Sequence, residues 1–355
     1  MLNDNGLDQP HAAGPHICHV NLARGFSGGE QQTFNLVQAL KQHGIQQSVV
    51  LLKGSPLLPM FEAIGIPVHE VRHHLFSCIP PRGIRPTLFH AHDGKAAYWC
   101  AIQARLLNLP YIITRRVDNP VKKQWIAKKI YKKAAVVACL SRAIAKQVKI
   151  LDKSIHTTII PSGYSGFAAQ PDAVQQIKNR YPNKILIAQI GKLLHHKGYH
   201  VTIEVARQCE ASHPQYQFLF LGSGPDELML KKQAEGLTNV DFLGHQTDIG
   251  SYLSAVDILL FPSLSEGLGS TILEAWQHGT PVIGSDAGGI PDLITDEETG
   301  KLVAPGDALQ LQQALITLIE DEQKRNQYCE NALERLAEYS PESIAARYYT
   351  LYKEL

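Results

Sequence analysis

The sequence DILLFPSLSEGLGSTILEAWQHGTPVIGS, residues 257–285, contains an apolar run, a glycine-rich loop, a helical pattern and a second apolar run. DILLFPS is a short continuous apolar segment, which is typical of a strand buried in a parallel sheet. In the helical part, Ile272, Leu273 and Trp276 can pack inward together. Strand, helix and strand in this order predict a right-handed βαβ unit.

The same alternation runs along the whole chain in two series. The strand patterns of the first are HICHVNL, QQSVVLLK, PVHEV, TLFHAH, YIITR, AVVACLS and TTIIPS, and those of the second are KILIAQIG, YQFLFLG, VDFLG, DILLFPS, TPVIGS and KLVAP. The turn-rich segment PSGYSGFAAQPD separates the two series. A length of 355 residues also exceeds one comfortable core. We therefore predict an α/β protein of two Rossmann-like, doubly wound parallel-sheet domains that face a cleft.

The ends of the chain set the expected domain limits. Residues 1–15 lack the charged start and apolar run of a signal peptide, so we expect a disordered leader on a cytoplasmic protein. The two domains are expected over residues 16–167 and 168–340. Ser340 and Pro341 form an N-cap and first-turn pair, so a separate last helix should begin at residue 341. No apolar window is long enough to predict a transmembrane helix.

The amino-acid composition is typical of a soluble globular protein and excludes most special classes of protein. A hydrophobic fraction of 44% and a charged fraction of 19% describe an ordinary soluble protein. The six cysteines form no CxxC pair, which favours buried reduced thiols over disulfides or a metal site. The net charge of +1 conceals a basic segment. Residues 115–153 hold twelve Lys or Arg against two Asp, a local charge of +10 that leaves −9 for the rest.

Several strand-to-helix loops carry residues that packing alone does not require. Gly28 and Gly29 lead into a helix whose free N–H groups suit an anion, although a simple tight turn explains them equally. Lys197 lies at the start of another predicted helix, where a cation is disfavoured unless an anion binds beside it. Lys192, at the preceding strand end, can converge on the same anion, and the alternative is a pair of solvated lysines.

The loop LGSGPDE resembles only half of a dinucleotide fingerprint. Gly222 and Gly224 fit the pattern, but Glu227 stands where the third glycine belongs. Asp241 lies at about the distance of the acidic residue that binds ribose in such motifs. The match is weak evidence for a nicotinamide cofactor.

The glycine-rich loop of residues 257–285 holds two glutamates. Glu266 follows the strand, and Gly267 and Gly269 allow a ligand to approach the backbone. Glu274 falls on the polar face of the following helix with Ser270, Thr271, Gln277 and His278, so a solvated face also explains it. The two carboxylates can form an acid/base pair or hold a ligand in place.

A histidine pair marks the end of one strand in the first series. His90 and His92 point to the same side of FHAHDGK, and Asp93 begins the next helix. A metal site needs a third ligand that the sequence does not identify, and polar contacts explain both histidines without a metal.

Together these motifs resemble the family 4 retaining glycosyltransferases of the GT-B fold, from about residue 16 to the C-terminus. The most specific element is E-x7-E, Glu266 to Glu274. It is accompanied in order by SGGE, FHAHD, a strand ending in CLS, TTIIPSGY, IGKL with KG, and FLG.

The resemblance implies a role for each part of the chain. Residues 16–167 would bind the acceptor, residues 168–340 would bind a nucleotide-sugar donor, and the last helix, 341–355, would cross back onto the first domain. His92, Lys197 and Glu266 would act on the reacting groups. The remaining donor-binding residues would be Gly28, Gly29, Lys192, Gly224, His245, Leu268, Gly269, Ser270 and Glu274.

More specific contacts also follow from the resemblance. Lys197 would contact the donor diphosphate, Glu274 the ribose hydroxyls, and His92 the transferred sugar. Lys192 stands where the family usually has arginine, and lysine lacks the bidentate fork of that side chain. The implied reaction needs no metal and no cofactor, because lysines and a helix N-terminus stabilise the departing phosphate. The donor would be UDP- or GDP-linked.

The segment VKKQWIAKKIYKKA predicts an amphipathic basic helix. Ile126, Ile130 and Ala134 form an apolar stripe among lysines, which suits a helix resting on anionic lipid. The predicted membrane-facing residues are Lys122, Lys123, Trp125, Lys128, Lys129, Lys132 and Lys133. A nucleic-acid patch or a merely solvated helix are the alternatives. A lipid-linked acceptor, such as a lipopolysaccharide core, would explain a peripheral position on the inner face of the cytoplasmic membrane, with no nucleic-acid partner.

Three other functions fit parts of the sequence. A nucleotide-sugar 2-epimerase shares the two-domain fold but needs acid/base carboxylates. A nicotinamide-dependent oxidoreductase rests on the GSGPDE loop alone. A non-catalytic sugar-binding scaffold keeps the fold without turnover.

Overall fold

The structure is a computed structural model that describes residues 15–73, 86–121 and 124–355. The predicted leader lies outside these residues except for residue 15, and Lys122, Lys123 and Cys78 also lie outside them. Among the described residues, Cys18, Cys100, Cys139 and Cys209 are buried free thiols, as predicted, whereas the free thiol of Cys329 is only half-buried.

Among the described residues, the first sheet contains seven parallel strands. They are β1 (His16–Asn21), β2 (Gln46–Leu52), β3 (Val68–Val71), β4 (Leu88–Ala91), β5 (Tyr111–Arg115), β6 (Val136–Cys139) and β7 (Thr157–Ile159). The helices that connect them are α1 (Gly28–Lys41), α2 (Leu58–Ala63), α3 (Gly94–Leu107), α4 (Gln124–Lys133) and α5 (Arg142–Leu151). The strand order is β3-β2-β1-β4-β5-β6-β7. Strands β4 and β6 are buried along their full length, as expected for a sheet covered on both faces.

In the described part of the chain, the second sheet contains six parallel strands in the order β10-β9-β8-β11-β12-β13. They are β8 (Ile185–Ile190), β9 (Tyr216–Leu221), β10 (Val240–Gly244), β11 (Ile258–Phe261), β12 (Val282–Ser285) and β13 (Lys301–Val303). The associated helices are α6 (Pro171–Arg180), α7 (Tyr199–Cys209), α8 (Glu227–Gln233), α9 (Ile249–Ala255), α10 (Ser270–Gln277), α11 (Ile290–Leu293), α12 (Ala308–Glu320) and α13 (Glu322–Leu336). Each strand pattern read from the sequence corresponds to one of the thirteen strands, so the predicted fold class is confirmed.

In both sheets, the order of the strands reverses at an equivalent place. The first strand of each series lies beside the second strand on one side and the fourth on the other, that is, β1 between β2 and β4, and β8 between β9 and β11. Loops leave a doubly wound sheet on opposite faces at this switch point, and ligands bind there at the carboxyl ends of the strands. The fold therefore favours two places for a site, one on each sheet.

Contacts divide the chain into two compact units. One comprises the described residues of 1–114, 133–136 and 345–355, and the other comprises the described residues of 115–132 and 137–344. The last helix, α14 (Pro341–Lys353), starts where Ser340 Oγ accepts a hydrogen bond from the Ser343 amide, as the N-cap pattern predicts. In the first unit, Tyr348 and Tyr352 of α14 are buried and bond to residues of the first sheet. Within the described ranges, no helix is long and apolar enough to span a bilayer.

Candidate active site

The switch point of the second sheet brings Lys197 and Glu266 together. Lys197 ends a 3₁₀ turn, His195–Lys197, in the loop after β8, and Glu266 lies in the loop after β11. Their side chains form an ion pair with Nζ 2.5 Å from Oε2, and both are mostly shielded from solvent. The Lys197 ammonium also lies 5.6 Å from the centre of the Phe261 ring. A cation and a carboxylate thus meet where the fold favours a ligand.

Glycines allow these two loops to approach each other. Gly198 has φ of +74°, and a Cβ there would lie 2.0 Å from the Pro262 carbonyl oxygen. Gly288 and Gly289 allow a similarly close approach of the chain on the other side of Glu266. The Gly289 amide donates to the Glu266 carbonyl at 2.8 Å, and a Cβ at Gly288 would lie 2.2 Å from that oxygen. The backbone of Glu266 is therefore held by its neighbours.

Helix α10 begins directly after this loop and carries Glu274 into the interior. Gly269 is its N-cap with φ of +94°, and Leu268 is buried, while Ser270 is half-buried. Glu274 is only 3% exposed, so the alternative of a solvated polar face is wrong. Its Oε1 accepts a hydrogen bond from the Ser165 amide at 2.7 Å.

The second carboxylate oxygen of Glu274 is available to accept a hydrogen bond from a ligand. Within the part of the chain that the structure describes, Oε2 is buried and accepts no hydrogen bond. Burial raises the pKa of Glu274 to about 7, against the opposing effect of hydrogen bonds from Ser165 and Gly166. A ligand hydroxyl that donates to Oε2 would satisfy this oxygen.

Three other predicted donor-binding residues lie in loops of the same sheet. Lys192 and His245 are exposed, after β8 and β10 respectively. Gly224 is explained by packing, because a Cβ there would lie 2.3 Å from the Leu193 carbonyl oxygen. Asp241, the acidic residue of the weak dinucleotide pattern, accepts a hydrogen bond from the Tyr181 hydroxyl at 2.7 Å. The nicotinamide interpretation therefore gains no support from this loop.

The switch point of the first sheet holds a histidine cluster. His19 on β1 is in register with His90 on β4, and His92 follows β4. All three are buried, and their ring nitrogens lie within 4.8 Å of one another. His90 contacts Tyr352 Oη and Thr114 Oγ1, each at 2.7 Å. Sequence reasoning missed His19, although the alternation of HICHVN on β1 places its side chain on one face of the strand.

The glycine pair of helix α1 is already close to a carboxylate. Gly28 is the first helical residue and is exposed. Ser27, the N-cap, donates from Oγ to Glu30 Oε2 at 2.6 Å. A negative charge therefore already stands in the first turn of this helix, where it is favourable.

Helix α4 presents a basic surface with one large apolar side chain. Trp125 is 67% exposed, and Lys129 Nζ lies 5.4 Å from the centre of its ring. Lys128 and Lys132 both pair with Asp152, while Lys133 is exposed. The predicted apolar stripe is not free for lipid contact: Ala134 is buried, and Ile126 and Ile130 are half-buried.

Comparison with known proteins assigns both halves of the chain. Residues 26–165 match the family described as Glycosyltransferase Family 4, and residues 171–335 match Glycosyl transferases group 1. Over 338 residues the chain is 27% identical to the lipopolysaccharide core biosynthesis glycosyltransferase LpsE of Rhizobium meliloti, covering 92% of this chain and 96% of that protein. It is 26% identical over 298 residues to the alpha-D-kanosaminyltransferase of Streptomyces kanamyceticus, covering 75% and 77%.

Solved structures share the fold. The crystal structure of Anabaena HepE in complex with UDP superposes with a TM-score of 0.84 at 21% identity, covering 96% of this chain and all of that one. The sucrose-phosphate synthase of Thermosynechococcus elongatus superposes with a TM-score of 0.77, also at 21% identity, covering 96% and 98%. The chain therefore carries a Glycosyltransferase Family 4 domain followed by a Glycosyl transferases group 1 domain, and it shares the GT-B fold.

Proposed function

We propose that the protein transfers a sugar from a nucleoside diphosphate sugar to an acceptor hydroxyl with retention of the anomeric configuration. The observation that carries this proposal is the Lys197–Glu266 pair at the switch point of the second sheet. A diphosphate is a stronger partner for an ammonium than one carboxylate is. Donor binding thus moves Lys197 onto the phosphates and leaves Glu266 to accept hydrogen bonds from sugar hydroxyls.

The rest of the donor fits the groups around this pair. Glu274 Oε2 accepts a hydrogen bond from a ribose hydroxyl, and the amides of Leu268 and Gly269, at the start of α10, contact phosphate. Exposed Lys192 adds charge near the diphosphate, and His245 lies beside the base. HepE, which shares the fold, is described in complex with UDP and with UDP-glucose, and this supports a UDP-linked donor over the GDP-linked alternative.

The chemistry follows from these positions. As the bond from the anomeric carbon to phosphate breaks, positive charge grows on that carbon and negative charge on the phosphate. Lys197 stabilises the phosphate, and the departing phosphate oxygen takes the proton of the attacking acceptor hydroxyl on the same face. No separate carboxylate base is needed, and the charge supplied by the lysines and the α10 N-terminus removes the need for a metal. Full transfer in excess EDTA is the expected result, and loss of transfer would contradict this step.

A thermal-shift panel of UDP-, GDP- and ADP-sugars tests the proposal. A donor at about 100 times its dissociation constant should stabilise the protein by roughly 2.7 kcal/mol. Product formed from that donor should keep the anomeric configuration by NMR. A C2-epimerised sugar without transfer would indicate an epimerase, binding without turnover would indicate a scaffold, and stabilisation by NAD(P) alone would indicate an oxidoreductase.

We also propose that the acceptor is a glycolipid or oligosaccharide of the cell surface. The relatives of LpsE type are described as acting in lipopolysaccharide core biosynthesis, and the chain matches LpsE and LpsD over more than nine-tenths of its length. Transfer assays should therefore compare a lipid-linked core saccharide with the same saccharide after removal of the lipid. Equal rates on both would contradict a lipid-linked acceptor.

A basic surface on α4 supports a peripheral position on the inner face of the cytoplasmic membrane. Exposed Trp125 beside Lys129 suits the headgroup region of anionic lipid, and each basic residue near the surface contributes about 1 kcal/mol there. Vesicles with anionic phosphatidylglycerol should co-sediment the protein, whereas phosphatidylcholine vesicles should not.

Two variants examine this surface. Trp125→Ala and Lys129→Glu should each weaken binding to anionic vesicles several-fold. Leu228→Ala removes a more exposed apolar side chain outside the basic segment and serves as the control. Binding that ignores lipid charge would contradict the membrane role, and binding to RNA or DNA at the same salt concentration would favour the nucleic-acid alternative.

A further inference from the structure

Four buried groups of the first unit form a directional hydrogen-bond chain that ends at His92. Gln47 Nε2 lies 3.0 Å from the backbone carbonyl oxygen of Val37. Gln47 Oε1 lies 3.1 Å from His19 Nε2, and His19 Nδ1 lies 3.0 Å from His92 Nε2. Gln47, His19 and His92 are each less than 7% exposed, so water does not compete for these contacts.

The first contact fixes the direction of the whole chain. A backbone carbonyl can only accept, so the amide nitrogen of Gln47 must face Val37 and its oxygen must face His19. That oxygen also only accepts, so His19 Nε2 must carry a hydrogen. In a neutral imidazole the other nitrogen then has the lone pair, and His19 Nδ1 must accept from His92 Nε2–H.

The neutrality of His19 follows from its surroundings. Burial lowers the pKa of His19 to about 3, although its hydrogen bond to Gln47 acts in the opposite direction. The ring therefore cannot donate from both nitrogens near pH 7. Its only donor faces Gln47, and its acceptor faces His92.

We propose that Gln47 and His19 are positioning residues that hold His92 in the Nε2–H tautomer, so that Nδ1 accepts a hydrogen bond from a hydroxyl of the bound sugar. The tautomer rests on the contacts above, and the sugar contact rests on the proposed function. The main chain supports the same arrangement. The His92 amide donates to the Val20 carbonyl at 2.9 Å, and Asp93 caps α3 through the amides of Lys95 and Ala96.

A metal ion is the competing explanation for three clustered imidazoles. His19, His90 and His92 are the one group among the described residues with ring nitrogens close enough to share an ion. A metal needs lone pairs on all three, but His19 and His92 share one hydrogen between the facing nitrogens. Both nitrogens of His90 already face hydroxyls at 2.7 Å. The observed contacts thus favour hydrogen bonding over coordination.

Long-range proton–nitrogen NMR on protein labelled with ¹⁵N-histidine tests the tautomers directly, with assignments from His19→Asn and His92→Ala. Both His19 and His92 should be Nε2–H tautomers in the free wild-type protein. An Nδ1–H tautomer of His92, or fast exchange between both forms, would overturn the proposal. One equivalent of zinc in the purified protein, measured by mass spectrometry, would overturn it as well.

Matched variants of Gln47 separate the hydrogen-bond chain from packing. Gln47→Met keeps the length of the side chain but removes the acceptor for His19, so His92 should become a tautomer mixture and transfer should fall about tenfold. Gln47→Glu keeps an acceptor oxygen and should keep the Nε2–H tautomer and most of the activity. Gln217→Met, the same change at a buried strand glutamine of the other sheet, should leave the His92 signals unchanged.

Different results would contradict the positioning role of Gln47 and His19 and the contact of His92 with the sugar. Unchanged His92 signals in Gln47→Met would overturn the positioning role. Full transfer by His92→Ala, combined with the expected wild-type tautomers, would overturn the sugar contact alone. If the wild-type protein neither bound nor turned over any nucleotide sugar, that result would instead contradict the proposed function.

Discussion

The two switch points share a topology but differ in their chemistry. In the first sheet, β1 and β4 bring together three buried imidazoles whose partners are hydroxyls and an amide. In the second sheet, β8 and β11 bring together an ammonium and a carboxylate, with a second carboxylate buried on α10. The fold selects the position of a site, and the side chains decide whether that site handles neutral or charged groups.

The proposed function assigns the two switch points to different chemical groups. A diphosphate is stabilised by cations and oriented amides, which the second switch point offers. Sugar hydroxyls need neutral donors and acceptors with fixed directions, which the histidine chain of the first switch point offers. The predictions that follow remove charge from one site and polarity from the other.

Lys197→Ala should have the largest effect, because it removes the cation that we propose stabilises the departing phosphate. We expect transfer to fall by more than about 100-fold, the scale of one lost oxyanion-type donor, with normal folding by circular dichroism. Lys231→Ala, which breaks an exposed helical ion pair with Glu227, is the control and should keep full activity. Near-wild-type turnover in Lys197→Ala would remove the second switch point from the mechanism.

Glu274→Gln should weaken donor binding by about 10- to 100-fold, because a charge-assisted hydrogen bond to ribose becomes a neutral one. The change keeps the shape of the side chain and an oxygen that can accept from Ser165. The effect should appear in the donor KM or Kd more than in kcat. A donor affinity equal to that of the wild type would mean that Glu274 serves only the fold.

The raised pKa of Glu274, about 7, predicts opposite pH dependences for stability and for donor binding. Below about pH 4.5 the carboxyl is protonated in both folded and unfolded chains. Between about pH 4.5 and 7 the Glu274 carboxyl ionises only in the unfolded chain. The contribution of Glu274 to the free energy of unfolding therefore falls across this window by an amount on the order of 3 kcal/mol, and it is lost above pH 7. Donor affinity should instead rise toward pH 7, because the ionised carboxylate is the better acceptor.

Glu274→Gln isolates this contribution. The difference in free energy of unfolding between wild type and variant, from urea denaturation at pH 5, 6, 7 and 8, should change across this window and then level off. A difference that stays constant from pH 5 to 8 would contradict the raised pKa.

Tyr352→Phe should have the smallest effect, and this effect should be confined to the first switch point. It removes the hydroxyl that contacts His90 Nδ1 and should lower the free energy of unfolding by about 1–2 kcal/mol. Donor affinity should be unchanged. Tyr349→Phe, three residues earlier on α14, has no buried hydroxyl contact among those described and should change stability by less than about 0.5 kcal/mol. Equal effects of the two variants would contradict a specific role for Tyr352.

Most of the fold was accessible from the sequence because strand patterns depend on local composition. Thirteen apolar runs predicted thirteen strands, and Pro341 after Ser340 predicted the start of α14. The loops at the strand ends followed, since a parallel sheet places its ligand-binding loops at one edge. Lys197 and Glu266 were therefore placed at the same edge without knowledge of any contact between them.

Pairings between distant residues could not be read in the same way. The Lys197–Glu266 ion pair joins positions 69 residues apart, and the Ser165 amide reaches Glu274 across 109 residues. Helical periodicity assigned Glu274 to a solvated face because it carries no information about what packs on that face. The chain from Gln47 through His19 to His92 depends on side-chain orientation on β2, on β1 and after β4, which the FHAHD motif does not encode.

Calorimetric titration of UDP- and GDP-sugars into wild-type protein, Lys197→Ala and Lys231→Ala measures whether Lys197 holds the donor diphosphate. We expect at least one nucleotide sugar to bind the wild type and Lys231→Ala equally, and to bind Lys197→Ala at least about tenfold more weakly, as expected for a lost charge-assisted contact. Equal affinity of that donor for the wild type and Lys197→Ala would show that the ion pair at the second switch point does not hold the diphosphate.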